Sequence, residues 1–259
     1  MTEFSPIVEY QSVYDIDYKV FISGFVLRRF RCSSLSESKF KAVLFDLGGT
    51  LVKTEDPPEV HRRILEFYGI KVSCGDATKA HSENEREFDV REMAEMGSAF
   101  WVKWNMKLLE RLGIDENKEF LAKKIDEMWW NYAHLEVYPD VVDTLVHLRA
   151  KGIRLGIVTN GLQKDYQQIL GKLALADYFD VVVGVDACAK AKPDKEVFLY
   201  AVNKLGVNLK ETLFVGDSVK YDFEGAKKAG LKPLLINRTK ETPANVDTIE
   251  SLTAVLQYV

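Results

Sequence analysis

Four short apolar runs lead into residues that can do chemistry. Ala42 to Phe45 stops at Asp46, Ile153 to Val158 stops at Thr159-Asn160-Gly161, Thr212 to Val215 stops at Gly216-Asp217-Ser218, and Val181 to Val185 is followed by Lys192. Each run is too short, and too rich in branched or aromatic residues, for a helix with its own core face, so each reads as a buried strand. Behind Asp46, Gly48 and Gly49 free the backbone for a tight loop that brings main-chain groups close to a ligand, and Thr50 adds a hydroxyl. Taken singly, these residues have plainer readings. An aspartate after a strand forms turns or caps helices, and a lysine such as Lys192 usually sits solvated at the surface.

The elements between these runs decide which reading holds. Pro57-Pro58 suits a first helical turn, and Val60, Ile64, Leu65 and Phe67 fall at helical spacing before Gly69. Helices are expected again over Ala77 to Met96, Ser98 to Leu112 and Lys118 to His134, and residues 56–135 contain no convincing strand. This block carries all four tryptophans, Trp101, Trp104, Trp129 and Trp130. At i, i+3 spacing Trp101 and Trp104 read first as packing between helices, with a substrate-facing aromatic wall as the alternative. From Tyr138 onward helices alternate with strands: Val141 to Ala150, Leu162 to Leu173, Lys195 to Leu205 and Tyr221 to Ala229 are helical, and Pro233 to Ile236 is a fifth strand. Val246 to Val259 reads as a short segment docked on the core. Such alternation predicts an α/β fold, a Rossmann-like, doubly wound, mostly parallel sheet with helices on both faces. Ligands of such sheets bind outside the carboxyl ends of the strands, where Asp46, Thr159 and Asp217 stand.

Bulk composition narrows the classes. The 259 residues are 47% hydrophobic and 29% charged, as in a water-soluble globular protein. A formal charge of -4 with a pI near 5.7 argues against an electrostatic nucleic-acid binder. Cys32, Cys74 and Cys188 are odd in number and far apart, with neither zinc-site nor disulfide spacing, so they are expected as reduced thiols in a cytoplasmic protein. No apolar stretch approaches the roughly 20 residues of a membrane span. His61, His81, His134 and His147 show no metal-ligand spacing. Residues 1–40 differ from the rest. Their apolar run, Val20 to Leu27, has acids before it and arginines after it, the reverse of a signal peptide. It reads as an added edge strand, a docking segment or an arm, or as the product of a start codon placed upstream of a working protein that begins near Ser38.

Asp46, Thr159, Lys192 and Asp217 with Asp222, each in its own context, resemble the haloacid dehalogenase superfamily of hydrolases. The resemblance is carried by FDLGGTL, GIVTNG, KPDKEVF and VGDSVKYDFEGAKKAG, over roughly 41–55 and 136–236. It implies a core of 41–55 and 136–259 interrupted by an all-helical cap of the C1 type over 56–135. It further implies that Asp46 attacks a small-molecule substrate and that Mg²⁺ is held by Asp46, the Gly48 carbonyl and Asp217, with Asp222 behind them or ligating through water. Thr159, Asn160 and Gly161 would hold phosphate oxygens, and Lys192, rather than Lys190, would offset the charge on Asp46 and the transferring group. The residue types suit that chemistry. A carboxylate that attacks phosphorus splits one hard displacement into two through an aspartyl-phosphate. Two unit charges ~4 Å apart repel by about 4 kcal/mol at an effective dielectric near ~20, so an anionic nucleophile needs cations beside it.

Gly48 departs from the phosphatase pattern, in which the residue two after the nucleophile is a second aspartate that protonates the leaving group. Such proton transfer typically contributes about 10²–10⁴ in rate. Three readings follow: a Mg²⁺-dependent phosphatase of small phosphorylated metabolites, a 2-haloacid dehalogenase, whose halide needs no proton, and a catalytically weak phosphate-binding or regulatory protein. Phosphonate cleavage through a cap lysine, Lys71 or Lys79, ranks below these. Asp217 and Asp222 preserve a metal site that a metal-free dehalogenase does not need, which favours the phosphatase. His61 or Glu55 is a candidate substitute acid. A monomer and a homodimer are equally compatible with the sequence.

Overall fold

The computed structural model describes residues 39–238 and 246–259. The readings made for residues 1–38, including Cys32, lie outside the described residues. Six parallel strands form the main sheet in the order β5-β4-β1-β6-β7-β8, with β1 Ala42–Phe45, β4 Arg154–Val158, β5 Val181–Val183, β6 Thr212–Gly216, β7 Lys232–Ile236 and β8 Thr248–Ile249. Side chains alternate across β1 because strand residues point to opposite faces with period two. Val43 and Phe45 join a buried cluster with Leu145 and Leu148 of α6 (Val141–Ala150) and Ile169 and Leu170 of α7 (Gln163–Lys172). Ala42 and Leu44 point the other way, onto Phe198 and Val202 of α8 (Lys195–Leu205) and Ala226 of α9 (Glu224–Ala229). This is the expected doubly wound arrangement. Each fully buried large side chain contributes roughly 1.5–3 kcal/mol of transfer free energy, so the central strand that carries Asp46 is held firmly from both faces.

The carboxyl-terminal segment closes the first cluster, as expected. β8 extends the sheet beside β7, and Leu252 and Val255 are fully buried. Phe40, before the first strand, is buried in the same cluster.

Between β2 (Val52–Thr54) and β3 (Leu135–Val137) the chain forms five helices: α1 Pro57–Phe67, α2 Cys74–Glu87, α3 Val90–Met96, α4 Ala99–Arg111 and α5 Lys118–Tyr132. They bury a cluster of their own, with Ile64 and Leu65 of α1 against Leu109 of α4 and Ile125 of α5. Three details differ from expectation. β2 and β3 pair antiparallel with each other in a two-stranded sheet of their own, with Val52 also bridged to Gly48. Three residues each, largely open to solvent, leave no periodic apolar signal. The helix expected over Ala77 to Met96 is two helices, because Phe88 and Asp89 are extended and the Asp89 carboxylate accepts the Arg91 N–H to start a new one. Likewise the last helix of the 3.6-residue pattern begins as a wider π turn over Val219–Phe223 before α9.

Candidate active site

Strand order brings the candidate residues together. β1 lies between β4 and β6, with Phe45 level with Ile157 on one side and Val215 on the other. Asp46, Thr159 and Asp217 therefore emerge at the carboxyl ends of three adjacent strands. The Asp46 N–H donates to Val215 and the Thr159 N–H to Val183, so each backbone position is tied to the neighbouring strand.

Lys192 is 3% exposed, and its ammonium lies 2.5 Å from Asp46 Oδ1 and 2.7 Å from Asp222 Oδ1. The surface-lysine reading is thereby excluded, and Lys190, which is exposed, is not the residue at the site. Burial pushes Lys192 toward neutrality, but the two carboxylates outweigh it and hold the ammonium charged. Burial pushes Asp46 up to about 7 against the opposing pull of Lys192. Asp222 sits in the π turn, and its second oxygen accepts the Ser218 N–H at 2.9 Å. A side chain at Gly216 would collide with the Asp222 carboxylate, so glycine is required there. The same holds for Gly49, whose φ of +73° suits glycine and whose Cβ would strike the Asp217 carboxylate. Asp217 opens to solvent at the mouth of the site. The protein on its inner side, and then the Asp222 charge, raise it above the usual carboxylate range.

The expected anion-binding turn divides its work. Thr159 Oγ1 accepts the Gly161 N–H at 3.2 Å, which leaves its hydroxyl hydrogen to donate. The Asn160 side chain braces the lysine loop: its Oδ1 accepts the Lys192 N–H at 2.7 Å and its Nδ2 donates to the Lys192 carbonyl at 3.1 Å. Gly48 is exposed, and a Cβ there would meet nothing within 4 Å, so the position has room for the carboxylate it lacks. Glu55 is tied to Arg63 and to the His134 N–H, bonds that hold its carboxyl low. Burial pushes His61 down to about 4, between the Pro57 carbonyl and Asn105. Neither is in a state to donate a proton at neutral pH. Lys71 and Lys79 are exposed on the helical block.

One brace went unnoticed in the sequence. Arg238 donates to both oxygens of Asp140 at 2.9 and 2.8 Å and to the Thr50 carbonyl at 2.7 Å, while its guanidinium stacks 4.0 Å above the Tyr138 ring. Asp140 also accepts from Ser251 and the Leu252 N–H. The loop after Asp46 is thus pinned to the end of the chain. Arg238 follows a strand with no motif around it, so only the pairing of distant segments makes it visible.

Oxygens of Asp46, Asp217 and Asp222 lie within 4.8 Å of one another. A single ammonium faces three carboxylates. That donor set, all oxygen and short of positive charge, fits a hard divalent cation, which binds through one or two carboxylates and keeps waters for the rest of its shell.

A doubly wound hydrolase fold with an acidic centre at its strand ends is the class that this geometry defines. The model for haloacid dehalogenase-like hydrolases matches residues 40–230, and the chain belongs to that family. Over 202 residues it is 33% identical to the glyceraldehyde 3-phosphate phosphatase of Methanopyrus kandleri, covering 77% of this chain and 85% of that one. Among solved structures, a HAD phosphatase from Thermococcus onnurineus is similar at 31% identity and a TM-score of 0.60, covering 84% of this chain and 97% of that one. A 2-haloacid dehalogenase from Pseudomonas syringae pv. Tomato DC3000 is similar at 26% identity and a TM-score of 0.65, covering 85% and 97%. Among the described residues no helix is long and apolar enough to cross a membrane.

Proposed function

We propose that the chain is a Mg²⁺-dependent phosphatase of small phosphorylated metabolites, with Asp46 as the nucleophile. The observation that carries this reading is the convergence of Asp46, Asp217 and Asp222 around one buried lysine. A carboxylate displacing halide needs no cation between itself and its substrate, whereas one attacking a phosphate does. The relatives named as phosphatases support the same choice.

In the proposed first step an Asp46 oxygen forms a bond to phosphorus as the bond to the ester oxygen breaks. Lys192 offsets the charge on the attacking carboxylate, and the Thr159 hydroxyl and the Gly161 region hold the equatorial oxygens. Gly48 offers no proton, so the departing oxygen takes one from water. Water then attacks the aspartyl-phosphate, releases inorganic phosphate and restores Asp46. Mg²⁺, held by Asp46, the Gly48 carbonyl and Asp217 with Asp222 behind, would supply positive charge between nucleophile and substrate. The helical block over 56–135 would act as the cap. It is fastened to α7 by Trp101 and Trp130, which donate to Asp165 at 3.1 and 2.9 Å, and by Lys164 on Asp126.

The missing side chain at Gly48 favours a second reading, haloacid dehalogenation by Asp46. One assay separates the two. Hydrolysis of an activated aryl phosphate that stops with EDTA and in Asp46→Asn supports the phosphatase. Halide release from a 2-haloalkanoate without added metal supports the dehalogenase instead. Tight phosphate binding with no turnover of either class would favour the catalytically weak reading.

A further inference from the structure

A cavity of about 330 Å³ lies where α1, α2, α4 and α5 meet α7, a volume typical of small-molecule sites. All four tryptophans of the protein line it. Trp101 and Trp104 stand 72° apart in plane and Trp129 and Trp130 86° apart, so each pair gives the cavity two differently oriented aromatic walls. The tryptophans therefore do more than pack between helices.

The charged groups in its wall are all acidic; among the described residues no lysine or arginine lines it. Two of the four carboxylates are balanced from outside, Glu55 by Arg63 and Asp126 by Lys164. The other two are balanced less. Asp165 is 8% exposed and feels through space the Lys164 charge that Asp126 already binds; burial raises it above the usual carboxylate range, while the indole N–H that each of its oxygens accepts favours negative charge there. Glu85 has, among the described residues, His81 as its ion-pair partner, 3.5 Å away. The histidines in the wall add no firm positive charge, since burial lowers both His61 and His81. Aromatic faces beside four carboxylates that outnumber the cations around them attract a cation and repel an anion.

We propose that this cavity binds a cationic organic group, an alkyl- or arylammonium, between the tryptophans and the carboxylates of Asp165 and Glu85. Two sources share that chemistry: the alcohol half of the phosphate ester hydrolysed at Asp46, or a separate small effector. The first source rests on the phosphatase reading and the binding itself does not.

Because every tryptophan lines the cavity, intrinsic fluorescence reports on it directly. The full chain is titrated with benzyltrimethylammonium, benzyl alcohol and benzoate. A saturable change is expected for the cation at about tenfold lower concentration than for the alcohol, with none for benzoate, as a desolvated cation–π contact implies. Asp165→Asn should weaken the cation about tenfold. As that change also disturbs an indole partner, Glu85→Gln, at an exposed side chain, is the variant that keeps the fold, and it should weaken the cation about threefold. Asp46→Asn should leave the titration unchanged. Equal response to benzoate or to the alcohol, no saturation with the cation, or an unaltered titration in both cavity variants overturns the proposal. Hydrolysis of phosphocholine against 2-phosphoglycolate then sorts the source. Preference for phosphocholine with competitive inhibition by benzyltrimethylammonium assigns the cavity to the substrate, and binding without competition assigns it to an effector. Saturable binding with neither ester hydrolysed leaves the cavity standing and counts against the phosphatase.

Discussion

The acidic centre at the strand ends and the tryptophan cavity under the helical block are built from similar parts. Both set carboxylates where little positive charge accompanies them, yet they are assembled differently. At the centre, each acid follows a buried strand within a residue or a few, glycines clear space for it, and Lys192 is driven between Asp46 and Asp222. In the cavity the acids come from a loop, three helices and two halves of the molecule, and they meet only when α5 lies over α7. The first arrangement is fixed by backbone geometry and so suits chemistry common to a family. The second depends on side-chain packing between elements and can change its preference with a few substitutions.

The comparison can be broken most forcefully at Lys192. Lys192→Met leaves Asp46 and Asp222 buried without a counter-charge and should cost about 3–5 kcal/mol in urea unfolding. Adding Asp46→Asn should give a total loss smaller than the sum of the two single variants' losses, because the two changes share one network. An additive double variant would show that the lysine is not balancing Asp46.

The helical block should fail first in acid. Its buried His61 has a pKa pushed from 6.5 down to about 4. The unfolded chain takes up a proton as pH falls below the ordinary value, while the folded chain resists until about 4. Stability that is fully present above 6.5 is therefore lost across that window, up to about 3 kcal/mol. Urea unfolding followed by tryptophan fluorescence, which reports on the block, should show this loss, and His61→Gln should flatten it.

Gly48→Asp sharpens the division from the other side. The position has open space around a Cβ, so a carboxylate there should raise kcat/KM on an alkyl phosphate about ten- to a hundredfold and change an activated aryl phosphate much less. Equal gains on both would mean that leaving-group protonation is not what Gly48 lacks. The smallest effect is expected at the fastening between the halves. Trp130→Phe removes one donor from Asp165 and should cost about 1–2 kcal/mol of stability while leaving phosphate release at saturating substrate near its normal rate.

Much of the centre was legible before the structure because its information is local. A short apolar run, a polar residue that can do chemistry (Asp46, Thr159 or Asp217) and a small-residue turn recur at β1, β4 and β6, and parallel topology does the rest by placing their ends side by side. The sheet, its helices and the docked carboxyl terminus follow from the same periodicities. Elements of three residues escaped, since in β2 and β3 only Val52, Leu135 and Val137 face the core, too few for an alternation to show. The break at Asp89 escaped because a single side-chain cap outweighed helical spacing. The Asn160 side chain also braces the lysine loop, and Arg238 with Asp140 holds the nucleophile loop from the far end of the chain. Both depend on which distant segments touch. The tryptophans show the limit most clearly: their i, i+3 spacing speaks of packing, and only the folded block reveals that they also wall a cavity.

The central claim is that Asp46 attacks phosphorus with a cation beside it. The direct measurement is to incubate the chain with an activated aryl phosphate and Mg²⁺, quench in acid, and map the label by peptide mass spectrometry. The account predicts one phosphoryl group on the peptide carrying Asp46, absent with EDTA and absent in Asp46→Asn. Phosphate release that continues in Asp46→Asn, or a label on any other peptide, would contradict it.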